Sequence, residues 1–123
     1  DGILVDAPCS GLGTWPRNPD ARWRTAPDTP DAKAELQGRI LRNAARAVRP
    51  GGRLIYSVCS VTRNEGPGVV ARFLDAHPGY VRQPFTDPLN GRPCDGERTI
   101  QPGEGPCDGM YIACLVRSAD KPA

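Results

Sequence analysis

The chain has 123 residues, enough for one domain with a modest core and too few for two. A formal net charge of +2 does not by itself indicate a nucleic-acid partner, and no apolar stretch approaches the roughly 18 residues of a membrane-spanning helix, so we expect no membrane association. The 14 glycines and 14 prolines follow no period, which excludes a collagen-like or low-complexity chain.

The first predicted element is a short buried strand over residues 2–6, bounded by Gly2 and Pro8. A loop rich in Gly, Pro, Asn and Asp follows over 10–30, and loops of this length in a compact domain are usually functional or mobile. The next pattern predicts a helix over 31–48, because apolar residues recur there at steps of three and four. The face that we expect to be buried comprises Leu36, Ile40, Leu41, Ala44, Ala47 and Val48.

A second strand is predicted over 53–58, after the helix-breaking sequence "RPGG". A second helix over 64–77, a short strand over 80–82 and a final strand over 110–116 complete the pattern. Residues 84–108 are rich in Pro and Gly and weakly patterned. Strands that alternate with helices are typical of an α/β fold whose first strands are parallel.

Residues 15–53 carry nine Lys and Arg residues against four acidic ones, although the whole chain is nearly neutral. A local excess of positive charge of this kind can face the phosphates of a nucleic acid. It is equally compatible with a solvated helix face, so the charge pattern alone leaves both interpretations open.

Five cysteines are present, an odd number without a C-x-x-C pair. One chain cannot place all of them in disulfides, which favours a reducing, cytoplasmic compartment. Cys94, Cys107 and Cys114 match no spacing of zinc ligands, so we expect no metal and assign them structural roles.

Cys9 and Cys59 follow the first and second predicted strands, and Asp6 precedes Cys9 by three residues. A right-handed strand–helix–strand unit makes both strands point the same way, so their carboxyl ends share the sheet edge where ligands of open α/β sheets bind. The two thiols can then reach one small ligand. The alternative is that each cysteine serves as a small buried apolar side chain.

Three segments carry a family resemblance: "DAPCSGLGT" around Cys9, "RNPDARWR" in the long loop, and "RPGGRLIYSVCSVTRNE" around Cys59. They closely resemble the RNA (cytosine-5)-methyltransferases of the Nop/Sun family, which includes bacterial 16S ribosomal RNA methyltransferases. Asn64-Glu65 fits the motif that usually follows the second cysteine, and Asp108-Gly109-Met110-Tyr111 is similar to a closing Asp-Gly-Phe-Phe segment. Val58 departs from the family pattern, in which threonine is usual.

The resemblance implies a Rossmann-like class I methyltransferase fold, with parallel strands joined by crossover helices and a final antiparallel strand. It covers nearly the whole chain but only the C-terminal half of such a fold. The glycine-rich loop and the acidic residues that hold S-adenosylmethionine (SAM) in the family have no match in residues 1–123. We therefore expect a partial SAM-dependent catalytic domain whose N-terminal, cofactor-binding half is absent.

The activity that the resemblance implies is transfer of the SAM methyl group to carbon 5 of cytosine in RNA, with ribosomal RNA as the first candidate and transfer RNA as the second. Cys59 would be the nucleophile that adds to the base, and Cys9 would assist release of the methylated base. Asp6 would lie near the cofactor and the target base. The alternative for Asp6 is an aspartate that caps a helix or a turn.

The candidates for substrate binding are Asp6, Pro8, Arg17, Arg22 and Arg24. Pro8 would stiffen the loop that carries Cys9. The arginines can contact backbone phosphates, which does not identify the RNA because such contacts read no sequence. Trp15 and Trp23 in the same loop can stack on a base or pack locally.

Two alternatives stay open at this point. A DNA cytosine-5 methyltransferase uses the cysteine of a Pro-Cys motif as its nucleophile, which would assign the attack to Cys9 and leave Cys59 without a role. A non-catalytic RNA-binding remnant would keep the fold and lack the cofactor site.

Overall fold

The first two long strands and the helix between them have the arrangement that the sequence predicts. The computed structural model describes residues 1–122. Its helices and strands, in chain order, are β1 (Gly2–Asp6), α1 (Ala21–Arg24), α2 (Thr29–Ala47), β2 (Arg53–Val58), α3 (Pro67–Ala76), β3 (Tyr80–Arg82), β4 (Phe85–Thr86), β5 (Pro93–Cys94), β6 (Glu97–Ile100) and β7 (Met110–Arg117).

The main sheet combines parallel and antiparallel pairing in the order β1-β2-β7-β3, and β6 also pairs with β7. β1 and β2 are parallel, and Asp6 lies opposite Ser57. β7 runs antiparallel to β2, β3 and β6. The predicted final antiparallel strand is therefore confirmed, and the sheet has the mixed pairing that a Rossmann-like α/β fold requires.

The core lies between this sheet and the two longer helices. α2 packs against β1, β2 and α3. Leu41 of α2, Val70 of α3, and Leu54 and Leu115 of the sheet are fully buried. Burial of each such side chain contributes about 1.5–3 kcal/mol to folding. Within residues 1–122, no helix is long and apolar enough to cross a membrane.

The buried face of α2 agrees with the predicted one in part. The helix begins at Thr29, with Pro30 in its first turn, where a missing N–H is tolerated. Of the expected face, Leu41 and Val48 are buried, Leu36, Ile40 and Ala44 are partly buried, and only Ala47 is exposed. Ala34, Gln37 and Ala45 are buried in addition. Periodicity cannot detect the inward position of Gln37, whose side chain donates a hydrogen bond to the carbonyl of Pro8.

Three other regions differ from the sequence prediction, the first being the loop over 10–30, which contains the short helix α1. α3 begins at Pro67 and not at residue 64, because residues 62–66 form a turn in which the backbone N–H of Glu65 donates to Thr62 Oγ1. The segment 84–108 contains a short hairpin, β4–β5, and a strand, β6, that were not predicted. β6 is rich in polar residues, and its own sequence does not indicate a strand. It forms a strand because it pairs with β7.

Leu41→Ala should lower the free energy of unfolding by about 2–5 kcal/mol, because it leaves a cavity where α2 meets the core. Leu89→Ala is the matched control, since Leu89 is 40% exposed, and it should cost about 0.5 kcal/mol. Urea denaturation followed by circular dichroism measures both. Equal losses in the two variants would contradict the position of the core.

Candidate active site

Cys9 and Cys59 lie side by side at the sheet edge where β1 and β2 end. Cys9 is three residues beyond the end of β1, and Cys59 directly follows the end of β2. Their Sγ atoms are 3.2 Å apart, and either thiol can donate to the other. Both cysteines are free and half-buried. The convergence predicted from strand order is confirmed, whereas the chemical role of each thiol stays a prediction.

The surroundings of Cys9 weaken its acidity. Burial, together with the hydrogen-bond contact to Cys59, raises the pKa of the Cys9 thiol to about 12. A hydrogen bond from the backbone of Gly11 opposes this shift without cancelling it. At neutral pH Cys9 therefore keeps its proton and can donate a hydrogen bond to a neighbouring sulfur.

Asp6 and Pro8 border the thiol pair on the β1 side. The Asp6 carboxylate accepts a hydrogen bond from the Ser57 hydroxyl, 3.3 Å away on the neighbouring strand. This contact joins two strands and does not cap a helix, and the Asp6 side chain is accessible at the strand edge. The Pro8 carbonyl accepts a hydrogen bond from Gln37 Nε2 at 2.9 Å, so helix α2 holds the loop that carries Cys9.

Glu65, which the sequence analysis noted only as part of a motif, belongs to this site without having been assigned a role there. Its side chain is completely buried and joins the two cysteine-bearing loops. Oε2 accepts hydrogen bonds from the hydroxyls of Ser10 at 2.7 Å, Ser60 at 2.5 Å and Thr62 at 2.9 Å. Oε1 accepts hydrogen bonds from the backbone N–H of Ser10 at 2.6 Å and from Gln37 Nε2 at 3.3 Å.

These donors keep Glu65 ionised inside the protein. Burial acts to raise the pKa of the carboxyl, but the hydrogen bonds from Ser60, Ser10 and Thr62 outweigh it and hold the pKa below its ordinary value. The resulting stability is present above the ordinary carboxyl pKa and is lost as the pH falls through the lowered one. The sequence signal for this acceptor is an acidic residue that closely follows two hydroxyl residues, Ser60 and Thr62.

A backbone junction at Gly13 joins the cysteine loops to the segment before β7. The Gly13 N–H donates to the carbonyl of Cys59 at 3.0 Å, and the Gly13 carbonyl accepts from the N–H of Gly109 at 2.8 Å. A Cβ atom on Gly13 would lie 1.8 Å from the Gly109 carbonyl oxygen. Only glycine fits this approach, and the junction fixes the backbone of Cys59.

The three predicted phosphate-binding arginines all have partners within the chain. Arg17 makes a bidentate ion pair with Asp108, with N–O distances of 2.9–3.0 Å. That carboxylate raises the pKa of Arg17. Arg24 pairs with Asp20 at 2.8 Å.

The two tryptophans of the first loop have different environments. Trp23 is 80% exposed, and the guanidinium of Arg22 lies 4.8 Å from its ring centroid. Trp15 is half-buried, which favours local packing. Trp23 is therefore the better placed of the two for stacking on a base. Among residues 1–122, no group of three or more His, Cys, Asp or Glu side chains is arranged to hold a metal ion.

Comparisons with known proteins give a family match over nearly the whole chain. The model of the family described as 16S rRNA methyltransferase RsmB/F matches residues 1–116. A ribosomal RNA small subunit methyltransferase B from Thermus thermophilus is 41% identical over 115 residues, which cover 94% of this chain and 29% of the relative.

Two solved structures are similar to this chain. PH0851 superposes with a TM-score of 0.87 at 35% identity, covering 95% of this chain and 26% of that protein. NSun6 from Pyrococcus horikoshii, solved with SFG, superposes with a TM-score of 0.74 at 27% identity, covering 97% of this chain and 30% of that protein. The chain thus spans less than a third of the length of each of these three proteins.

Gly13→Ala should lower the free energy of unfolding by about 3 kcal/mol, the upper end of the usual range for overpacking, because the clash is with backbone and no side chain can move aside. Gly38→Ala is the control, since its Cβ would meet only the end of the Arg42 side chain and should stabilise α2 by about 0.5–1 kcal/mol. Chemical denaturation measures both. A Gly13→Ala variant with the wild-type free energy of unfolding would contradict the close backbone approach at Gly13.

Alkylation of Cys9 by iodoacetamide should accelerate about tenfold for each pH unit from pH 7 to pH 10 without levelling off. The thiolate is the reacting form, and its fraction rises tenfold per unit below the raised pKa. Initial rates for the Cys9 peptide are measured by mass spectrometry. In urea the alkylation rate of Cys9 should stop rising once the pH passes the ordinary thiol pKa of 9.0. A plateau below pH 10 in the folded protein would contradict the raised pKa.

Proposed function

Because the chain belongs to the 16S rRNA methyltransferase RsmB/F family, we propose that it provides the two catalytic cysteines of a cytoplasmic RNA (cytosine-5)-methyltransferase. The proposed substrate is ribosomal RNA, with transfer RNA as the alternative, and the proposed methyl donor is SAM. The observation that carries the proposal is the 3.2 Å separation of the Cys9 and Cys59 sulfur atoms. Two thiols at this spacing can act on one pyrimidine ring.

Cys59 is the proposed nucleophile. Carbon 5 of cytosine is a poor nucleophile, and addition of the Cys59 thiolate to carbon 6 breaks the aromaticity of the ring and moves electron density onto carbon 5. When bound, SAM supplies the electrophilic methyl group that carbon 5 then accepts. The position of Cys59 directly after β2, at the ligand-binding edge of the sheet, supports this assignment.

Cys9 is proposed to act in release of the product. After methylation the proton on carbon 5 must leave, its electron pair restores the ring double bond, and the Cys59 sulfur is expelled. Before addition, Cys9 keeps its proton because of burial and of the adjacent Cys59 sulfur. Once that sulfur is bonded to the base it carries no charge and is a weaker acceptor, so one of the effects that hold the proton on Cys9 is removed. Cys9 then releases its own proton to solvent, and its thiolate takes the proton from carbon 5 as the Cys59 sulfur leaves as a thiolate.

Asp6 is proposed to face both the cofactor and the base. Its accessible carboxylate fits the positively charged end of SAM and the amino group of cytosine. No segment of residues 1–123 matches the glycine-rich loop that the family resemblance implies for SAM. We propose that this loop lies outside these residues, which would then form one part of a SAM-dependent catalytic domain.

The first loop is proposed to hold the RNA. Water and salt screen ion pairs at the surface, so Arg17 and Arg24 can exchange their carboxylate partners for phosphates. Arg22 and the exposed ring of Trp23 offer a cation and an aromatic surface to an unpaired base. Single-stranded or looped RNA suits this site, because its bases leave the stack readily.

Separate serine variants of the two cysteines test the proposal in the full-length protein, incubated with ribosomal RNA and SAM. Cys59→Ser should form no covalent protein–RNA complex, because it lacks the attacking thiolate. Cys9→Ser should accumulate that complex, because release is blocked. Denaturing gel electrophoresis detects the complex, and Cys107→Ser, which alters an exposed thiol, should behave as wild type.

The reverse pattern, with a complex in Cys59→Ser and none in Cys9→Ser, would make Cys9 the nucleophile, as in the DNA enzymes. RNA binding by the wild-type protein without methylation and without any covalent complex would support the non-catalytic remnant.

A further inference from the structure

Each of the two cysteines is followed by a serine, and both serines bind the same carboxylate oxygen. Ser10 Oγ lies 2.7 Å and Ser60 Oγ 2.5 Å from Glu65 Oε2. The two sulfur atoms are therefore each one residue away from a common anchor. An anchor of this kind sets the relative position of two loops that are otherwise fifty residues apart in sequence.

Hydrogen-bond donors surround the carboxylate of Glu65. Five hydrogen bonds reach it, from Ser10, Ser60, Thr62 and Gln37, and within the described chain no Lys or Arg forms an ion pair with it. A buried carboxylate without such donors would cost several kcal/mol. A neutral amide cannot replace it, because its NH₂ group would face the donors.

The backbone of Glu65 is held independently of its side chain. Its carbonyl accepts a hydrogen bond from the Tyr56 hydroxyl at 2.6 Å, and its N–H donates to Thr62 Oγ1 at 3.3 Å. The turn before α3 is therefore anchored without the carboxylate, and the carboxylate is directed at the two cysteine loops.

We propose that Glu65 is a positioning residue that holds the Cys9 and Cys59 thiols in contact, so that one thiol can act on the adduct that the other forms. The chemical role of this contact rests on the function proposed above, whereas the contact itself does not. Loss of the carboxylate should separate the sulfur atoms and impair release of the base more than its attack.

Phenylarsine oxide tests the thiol spacing without RNA or SAM. This trivalent arsenical binds two thiols that are close to contact, forming two As–S bonds and losing its oxygen as water with the two thiol protons. The full-length wild-type protein should bind it at the cysteine pair, and Cys9→Ser defines the background. Glu65→Gln should bind at least tenfold more weakly, as measured by competition with a dithiol.

Asp87→Asn is the matched control, because Asp87 is also a buried carboxylate but pairs with Arg98, outside the cysteine loops. It should bind the arsenical as wild type does. Ser60→Ala, which removes one donor and keeps Glu65, should weaken binding about fivefold, in keeping with one hydrogen bond of about 1 kcal/mol. This milder variant tests the proposal if Glu65→Gln does not fold.

Wild-type arsenical affinity in a folded Glu65→Gln or Ser60→Ala variant would overturn the proposal. So would equal weakening in Asp87→Asn, which would indicate a general loss of stability. With RNA and SAM, Glu65→Gln should raise the ratio of covalent complex to methylated product at least fivefold, a ratio that a smaller folded fraction would not change. An arsenical effect without any RNA methylation would refute the proposed function and leave the positioning role intact.

Discussion

A single buried carboxylate constrains the site more than any other group. Glu65 stays ionised in the interior because the loop after β1 and the loop after β2 supply donors to it, and Gln37 of helix α2 adds a longer hydrogen bond. This need for donors explains two departures from the apolar pattern. Gln37 occupies a position in the core face of α2, and α3 starts only after the turn that directs Glu65 inward.

The sheet and the hydrogen bonds of Glu65 position the two cysteines with different precision. Parallel pairing of β1 with β2 brings Cys9 and Cys59 to one edge, and this placement follows from strand direction alone. It does not bring sulfur atoms to 3.2 Å, since loops at a strand end can vary by several ångströms. The final approach depends on the Glu65 hydrogen bonds and on the Gly13 junction, which ties the carbonyl of Cys59 to the segment before β7.

The parts that the sequence predicted are those governed by local pattern. β1 and β2 have the predicted bounds because short apolar runs there end at Pro, Gly or polar residues. The meeting of the two thiols was predicted from the parallel strand–helix–strand topology, which places both strand ends at one edge of the sheet. The inward position of Gln37, the exposure of Ala47 and the pairing of β6 depend on partners distant in sequence, which periodicity cannot identify. Glu65 belongs to this second group, because Ser10 is fifty-five residues away.

Two thiols in contact cannot easily both be ionised, because like charges at this distance repel strongly. One sulfur therefore keeps its proton, and the surroundings decide which. Burial raises the pKa of Cys9, the contact with Cys59 adds to the effect, and the charge of Glu65 acts in the same direction. The same carboxylate thus sets the spacing of the pair and favours the protonated form of Cys9. The function proposed for the pair, with Cys59 as nucleophile and Cys9 as proton carrier, is in keeping with this asymmetry.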